Sequence, residues 1–244
     1  MKKKQKIVKF DFEPGKIISG KYIVVEKLGE GWEGEVYKVQ ESATGIERAA
    51  KFFLPNRNIK NKSAKFYANK LHKLRSCPIL IQYLTQDTII FKGEKVSYLI
   101  SDYVEGVTLS SFLNSIKGKK MHPFQGLLLL HTLVKGLEDI HGLGEYHGDL
   151  HTDNIIVQRF GLGFELKLLD MFYWGAPKAQ DFKDDICDAI RILYDVLGGQ
   201  KQYAKLPEEV KEICCGLKKS IILKKFKNLS QLRVHLETMN WESR

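Results

Sequence analysis

His147-Gly148-Asp149-Leu150-His151-Thr152-Asp153-Asn154, with Asp170 sixteen residues after Asn154, is the stretch that decides the reading of this chain. Its polar residues match three needs of phosphoryl transfer from ATP. Asp149 is placed to take or orient the proton of an attacking hydroxyl. Asn154 and Asp170 are suited to hold the magnesium that bridges the phosphates. Asn154–Val157 reads as a strand leaving the loop, and Glu165–Leu169 as a second strand ending at Asp170. A hairpin of this kind sets both metal ligands at neighbouring strand ends. Acidic residues and an Asn in a loop also make ordinary turns, so the reading depends on what lies upstream.

Upstream, Leu28-Gly29-Glu30-Gly31-Trp32-Glu33-Gly34-Glu35-Val36 contains G-x-G-x-x-G-x-V. Such a triplet also suits a dinucleotide-binding turn, but there the glycines open a helix. Here Tyr22–Leu28 and Glu35–Val39 are strand-like on both sides, so the glycines cap a strand–turn–strand flap that can lay N–H groups over phosphates. Ala49-Ala50-Lys51-Phe52-Phe53 then sets a lysine in an apolar strand. Its ammonium must reach water or an anion. A plain hairpin tip and a snorkelling edge lysine are the alternatives for these two features taken singly.

From Tyr22 to about Asn240 the chain resembles the protein kinases. Gly29, Gly31, Gly34 and Val36 match the glycine loop, and Ala49 and Lys51 the strand with the phosphate lysine. Leu99–Gly106 resembles the segment entering the hinge. His147, Asp149 and Asn154 match the catalytic loop, and Asp170 the magnesium aspartate. Asp185–Tyr194 looks like the buried helix that supports that loop. The resemblance implies an α+β, bilobal fold: a strand-rich small lobe with one helix and a mainly helical large lobe. It implies ATP and Mg2+ as cofactors. Leu28, Gly29, Glu30, Gly31, Gly34 and Lys51 would cover the phosphates. Val36, Ala49 and Ile156 would sandwich adenine, Ser101 would be the gatekeeper, and the backbone of Asp102, Tyr103 and Val104 would bond the ring. Asp149, Lys51, His151 and Asn154 form the catalytic set, with Asn154 and Asp170 on the metal.

The chain has 244 residues, 43% of them hydrophobic, enough for a two-lobed domain. Residues 1–21 read as a basic extension, 22–102 as the small lobe and 103–244 as the large one. No apolar run approaches a membrane helix, because His131 interrupts the longest candidate, Gly126–Val134. No secretory h-region follows Met1–Lys9. Cys77, Cys187, Cys214 and Cys215 lack metal-ligand spacing, so a reduced, cytoplasmic setting is expected. The net charge is +10, and no Asp or Glu occurs between Leu54 and Gln86, where Arg57, Lys60, Lys62, Lys65, Lys70, Lys73 and Arg75 stand. That face is either simply solvated or a dock for an acidic partner, nucleic acid or anionic lipid. Few aromatics interleave with the charges, so no specific nucleic-acid signal is present.

Helices are expected at Lys62–Arg75, Thr108–Ile116, Pro123–Gly142, Asp185–Leu197, Pro207–Leu217 and Ser230–Met239, and strands at Gln82–Phe91 and Val96–Asp102. Four departures from the family matter. The small-lobe helix has no acid to pair with Lys51; the expected position falls at Tyr67 or Ala68. Asp170, phosphate, Tyr67 or Asn69 are the remaining partners, and slowed but not abolished catalysis is the expectation. Asp170-Met171-Phe172 lacks the glycine pivot of Asp-Phe-Gly. Asp170 to Asp185 is short, has no Ala-Pro-Glu, and offers only Tyr173 as a phosphate acceptor. Gly148 and Lys224-Lys225-Phe226 replace two arginines tied to that segment. Together these imply activity without phosphorylation of the segment.

The leading expectation is a Ser/Thr protein kinase, supported by the family-like C-terminal stretches Leu206–Ile213 and Leu229–Leu236. His151, as in aminoglycoside and choline kinases, and the short segment after Asp170 keep a small-alcohol kinase open. An inert nucleotide-binding scaffold is the third reading: the missing acid favours it, and the retained Lys51, Asp149, Asn154 and Asp170 oppose it.

Overall fold

The computed structural model describes residues 6–161, 163–172 and 175–241. Tyr173, the single phosphate acceptor expected after Asp170, lies outside the described residues. The chain packs as two units. The first takes the described residues up to Ser76 plus Ile81–Val104; the second takes Cys77–Leu80 and everything from Glu105.

The first unit is a six-stranded antiparallel sheet. It comprises β1 (Ile17–Ile18), β2 (Tyr22–Glu30), β3 (Gly34–Glu41), β4 (Glu47–Phe53), β5 (Tyr83–Phe91) and β6 (Glu94–Asp102), in the order β1-β2-β3-β4-β6-β5, with one helix, α1 (Lys62–Lys73). Residues directly opposite in an antiparallel pair share a face. The pairs Val36↔Lys51, Ala49↔Ser101 and Lys51↔Leu99 therefore set Val36, Ala49, Lys51 and Ser101 on one face. Glu35, Tyr37, Ala50, Phe52, Tyr98 and Ile100 occupy the other, which is the more deeply buried.

What covers that second face is the segment expected as a basic extension. Ile7, Phe10 and Phe12 are buried in the core cluster with Tyr37, Phe52 and Tyr98. The Phe12 ring stands edge-on to Phe52 at 5.0 Å and to Phe91 at 5.3 Å. The lysines at the start of the chain conceal an Ile-x-x-Phe-x-Phe pattern whose apolar residues bury against this sheet face. Glu35 anchors the segment. Its carboxylate accepts from Phe10 N (3.0 Å), Asp11 N (3.2 Å) and the Tyr37 hydroxyl, with Lys27 Nζ at 3.3 Å. Burial alone would raise the Glu35 pKa, but these hydrogen bonds and Lys27 outweigh it and hold the group below the usual glutamate value.

The second unit holds a small sheet and a helical body. β7 (Val107–Thr108), β8 (Ile155–Phe160) and β9 (Gly163–Leu168) pair antiparallel, and Leu80 bridges Leu168 in parallel. Thr108 caps α2 (Leu109–Ser115) as expected, accepting from Ser111 N. α3 (Pro123–Gly142) has the expected bounds. α4 (Ala179–Val196) begins six residues before the expected Asp185, because the Asp181 carboxylate accepts from Lys178 N and closes the first turn there. The segment after Asp170 is thus shorter than the sequence indicates. α5 (Gln200–Tyr203) was not foreseen. α6 (Glu208–Cys214) stops early where Cys215 and Gly216 turn to positive φ. α7 (Lys219–Lys225) was also missed. α8 (Leu229–Thr238) begins one residue before the expected Ser230, where the Asn228 side chain accepts from Gln231 N. No helix among the described residues is long and apolar enough to cross a membrane.

The buried Glu35 and the half-buried Asp188 set opposite pH dependences of stability. Glu35→Ala leaves two backbone N–H groups and the Tyr37 hydroxyl without their acceptor and should cost about 3 kcal/mol in urea unfolding at pH 7. Because the folded-state value is depressed, the wild-type advantage is present above the ordinary glutamate value and should vanish as pH falls through the depressed one. Asp188 on α4 behaves oppositely: burial, then the neighbouring Asp185, pushes it up to about 6. The folded state then holds the extra proton between about 4 and about 6. Asp188→Asn should remove a loss of stability on raising pH across that window and increase the melting temperature at pH 7.

Candidate functional site

The flap is formed by the ends of β2 and β3. Gly31 N donates to Gly34 O (2.8 Å) and Leu54 N to Glu33 O (2.8 Å). The glycines differ in why they are glycine. A Cβ on Gly34 would lie 1.8 Å from the Phe52 carbonyl oxygen, so this one is demanded by close strand approach. A Cβ on Gly29 or Gly31 would meet nothing within 4 Å. Packing does not require those two, and lacking side chains they leave the flap backbone open to a ligand. Leu28 and Glu30 flank them on β2, exposed. Trp32, at the tip, is exposed beneath the Arg57 guanidinium, 4.2 Å from its ring centre.

Lys51 Nζ lies 3.4 Å from Glu33 Oε2, 4.6 Å from the Tyr67 ring centre and 5.7 Å from that of Phe53. Of the partners expected from the sequence within this unit, Tyr67 is in place through its ring, while Asn69 is exposed on the outer side of α1. Glu33 was not foreseen. It lies eighteen residues from Lys51 in sequence and meets it only because β3 and β4 pair. Ser101 and Asp102 end β6; Asp102 accepts from Arg48 (2.7 Å), and Lys38 stands over the Tyr103 ring at 4.4 Å. Val104 closes the unit.

In the second unit the loop before β8 is built on Asp185. Its buried carboxylate accepts from His147 N (2.7 Å), Gly148 N (2.8 Å) and His141 Nε2 (2.9 Å). The His147 ring, itself fully buried, is held at both nitrogens. Nδ1 accepts from Asp149 N (3.3 Å), so Nε2 carries the proton and donates to Leu169 O (3.0 Å). Phe172 N donates to His147 O (2.7 Å). One imidazole thus ties the loop to the strand end bearing Asp170.

Gly148 has φ +75, and a Cβ there would lie 2.5 Å from the Tyr146 ring. The sequence reading tied this glycine to the reduced segment alone; the backbone supplies a local reason. Asn154 Nδ2 donates to both Asp149 O (2.9 Å) and Asp149 Oδ2 (3.1 Å). The opposite amide orientation would set oxygen against oxygen, so Oδ1, the atom that can ligate a cation, is left uncommitted by these bonds. Ile155 pairs with Leu168, and Leu169 N donates to Asn154 O (2.9 Å), which brings Asp170 to the strand end beside Asn154. Asp170 adopts φ +49, an unusual conformation for a non-glycine residue, found often at functional positions. Its exposed carboxylate and the Asn154 amide oxygen form a hard-oxygen pair suited to magnesium, which takes one or two protein ligands and completes its shell with phosphate and water.

His151 accepts from Asp153 N at Nδ1 (3.3 Å), leaving Nε2 to carry the proton, 3.8 Å from Asp149 Oδ2. Both side chains are about half exposed. Ile156 is half-buried on β8, with its Cγ2 2.8 Å from where a Cβ of Gly106 would lie. The second unit therefore brings together Asp149, His151, Asn154 and Asp170, and the first aligns the flap glycines, Val36, Ala49, Lys51 and Ser101.

Among curated proteins the chain is similar to the serine/threonine-protein kinase pakA of Dictyostelium discoideum, 24% identical over 76% of this chain and 17% of the relative. It is 27% identical to the serine/threonine-protein kinase pkn2 of Myxococcus xanthus, over 63% of this chain and 18% of the relative. It is also 27% identical to the serine/threonine-protein kinase PknD of Chlamydia abortus, over 68% and 18%. The chain spans under a fifth of each of these proteins. The family model described as the protein kinase domain matches residues 22–183. That match covers more than half of the sequence and includes the flap, Lys51, the His147–Asn154 loop and Asp170: the chain belongs to the protein kinase domain family.

Proposed function

We propose that this chain transfers the γ-phosphoryl group of ATP to a serine or threonine hydroxyl of a protein, and that it does so without phosphorylation of the segment after Asp170. The observation that carries the reading is the Asp149–Asn154 pair on a loop anchored by Asp185. An acceptor carboxylate and a metal-binding amide are thereby oriented by the same two hydrogen bonds. The names of the relatives, all serine/threonine-protein kinases, support the acceptor class.

In this reading the open backbone at Gly29 and Gly31 and the Lys51 ammonium hold the phosphates, while Val36, Ala49, Ile156 and the Ser101–Val104 stretch receive adenine. Asn154 and Asp170 hold magnesium, which would neutralise charge on the β- and γ-phosphates. The Asp149 carboxylate accepts the proton of the attacking hydroxyl as its oxygen bonds to phosphorus and the bond to the β-phosphate oxygen breaks, releasing ADP. Most of the rate gain is positioning and charge stabilisation. In this reading His151, whose Nε2 lies 3.8 Å from the Asp149 carboxylate, donates to the transferring group. That same half-exposed histidine, with so short a stretch before α4, is what favours the second reading, a small-alcohol acceptor. A cytoplasmic location and an acidic partner on the basic α1 side belong to the proposal as well, on the cysteine and charge patterns of the sequence.

Labelled ATP with magnesium should place phosphate on protein, and Asp149→Asn should lower turnover by about a hundredfold or more. Label found only on small molecules would move the chain to the second reading; no magnesium-dependent transfer to any acceptor would leave an inert binding module. Phosphatase-treated protein and Tyr173→Phe should both keep wild-type turnover. Dependence on prior phosphorylation by another kinase would refute the unswitched state.

A further inference from the structure

Lys51 needs a partner that α1 does not provide as an acid. From Leu54 to Gln86 the sequence has no Asp or Glu, and α1 itself carries Lys62, Lys65, Lys70 and Lys73. A carboxylate comes from the flap instead. Lys51 Nζ and Glu33 Oε2 are 3.4 Å apart, and the two side chains are only 15% and 18% exposed. From the helix side comes a ring face: Tyr67 is 3% exposed, and its centroid lies 4.6 Å from the same ammonium. A mostly desolvated ammonium gains much more from such neighbours than a surface lysine does.

We propose that Glu33 and Tyr67 are the positioning residues of Lys51, a flap carboxylate and a helix ring sharing the task that a single acid on α1 would perform. The proposal rests on the phosphotransferase reading above and deepens it. Glu33 is rigidly presented: its carbonyl accepts from Leu54 N, and the adjoining Gly34 is locked against Phe52. The consequence is a change in what controls the lysine. One of its charge partners, Glu33, belongs to the flap, so placing the lysine and ordering the flap are coupled. From the helix, Tyr67 contributes an uncharged ring face.

The test is nucleotide affinity and steady-state kinetics of the full chain, with ATP and magnesium, for Glu33→Gln, Tyr67→Ala, Tyr67→Phe, Lys51→Met and the Glu33→Gln/Lys51→Met pair. Glu33→Gln should weaken ATP binding about tenfold, and Tyr67→Ala should do so to a similar degree, the size expected of coupled neighbours. Tyr67→Phe keeps the ring face and should stay within about twofold of wild type. The double variant should be no weaker than Lys51→Met alone, because both substitutions remove the same interaction. A merely structural role would lower the melting temperature without this non-additivity. If wild type transfers phosphate and Glu33→Gln binds ATP as well or better, or its effect adds fully to that of Lys51→Met, the proposal falls alone. If wild type neither binds nor transfers, the phosphotransferase reading falls and takes the proposal with it.

Discussion

The buried carboxylate of Asp185 holds the second unit's chemistry in place. Fully enclosed, it survives as an acceptor because His147 N, Gly148 N and His141 Nε2 all aim at it. Two consecutive amides on one carboxylate fix the backbone just ahead of Asp149. Gly148 is the residue that allows this turn, since its positive φ and the Tyr146 ring leave no room for a side chain. The constraint then passes through the His147 ring to Leu169 and so to the strand end at Asp170. Asp149, Asn154 and Asp170 thus inherit their positions from one carboxylate on α4.

Glu35 plays a comparable part in the first unit, but it secures a strap, not a loop. Phe10 and Phe12 close the sheet face opposite Lys51, and Glu35 lies one residue past the last flap glycine. The packing that stabilises the sheet therefore also fixes the root of the flap. Both units use the same device: a buried carboxylate gathers backbone N–H groups from a distant segment and leaves a chemically useful segment beside it.

Much of the site was legible because its residues are close in sequence. The glycine spacing, the lysine two residues into an Ala-Ala strand, and the Asp149-to-Asn154 interval carry local geometry with them. The elements with regular apolar spacing, such as α3 and β6, were legible for the same reason. The misses share a cause of a different kind. The expected partners of Lys51 were Asp170, phosphate, Tyr67 and Asn69, and Glu33 was not among them because it arrives across a strand pair. The start of the chain read as a basic extension, because three apolar residues among lysines acquire meaning only when a sheet face needs covering. The beginning of α4 was set at the buried Asp185 when a cap at Lys178 and Asp181 starts it earlier.

By itself, the sequence determined the candidate chemical set: which residues are suited to take a proton, hold a cation and cover phosphate, and in what order along the chain. Short-range spacing carries that information, since the residues of one loop or one strand cannot move far apart. Only the tertiary structure decided the supports: which carboxylate anchors the His147–Asn154 loop, which tautomer His147 adopts, that Glu33 meets Lys51, and what closes the back of the sheet. Those choices depend on strand register and on buried groups finding partners many residues away. No local pattern encodes such pairings; they are settled only when the sheet face, the helix and the loop exclude water together.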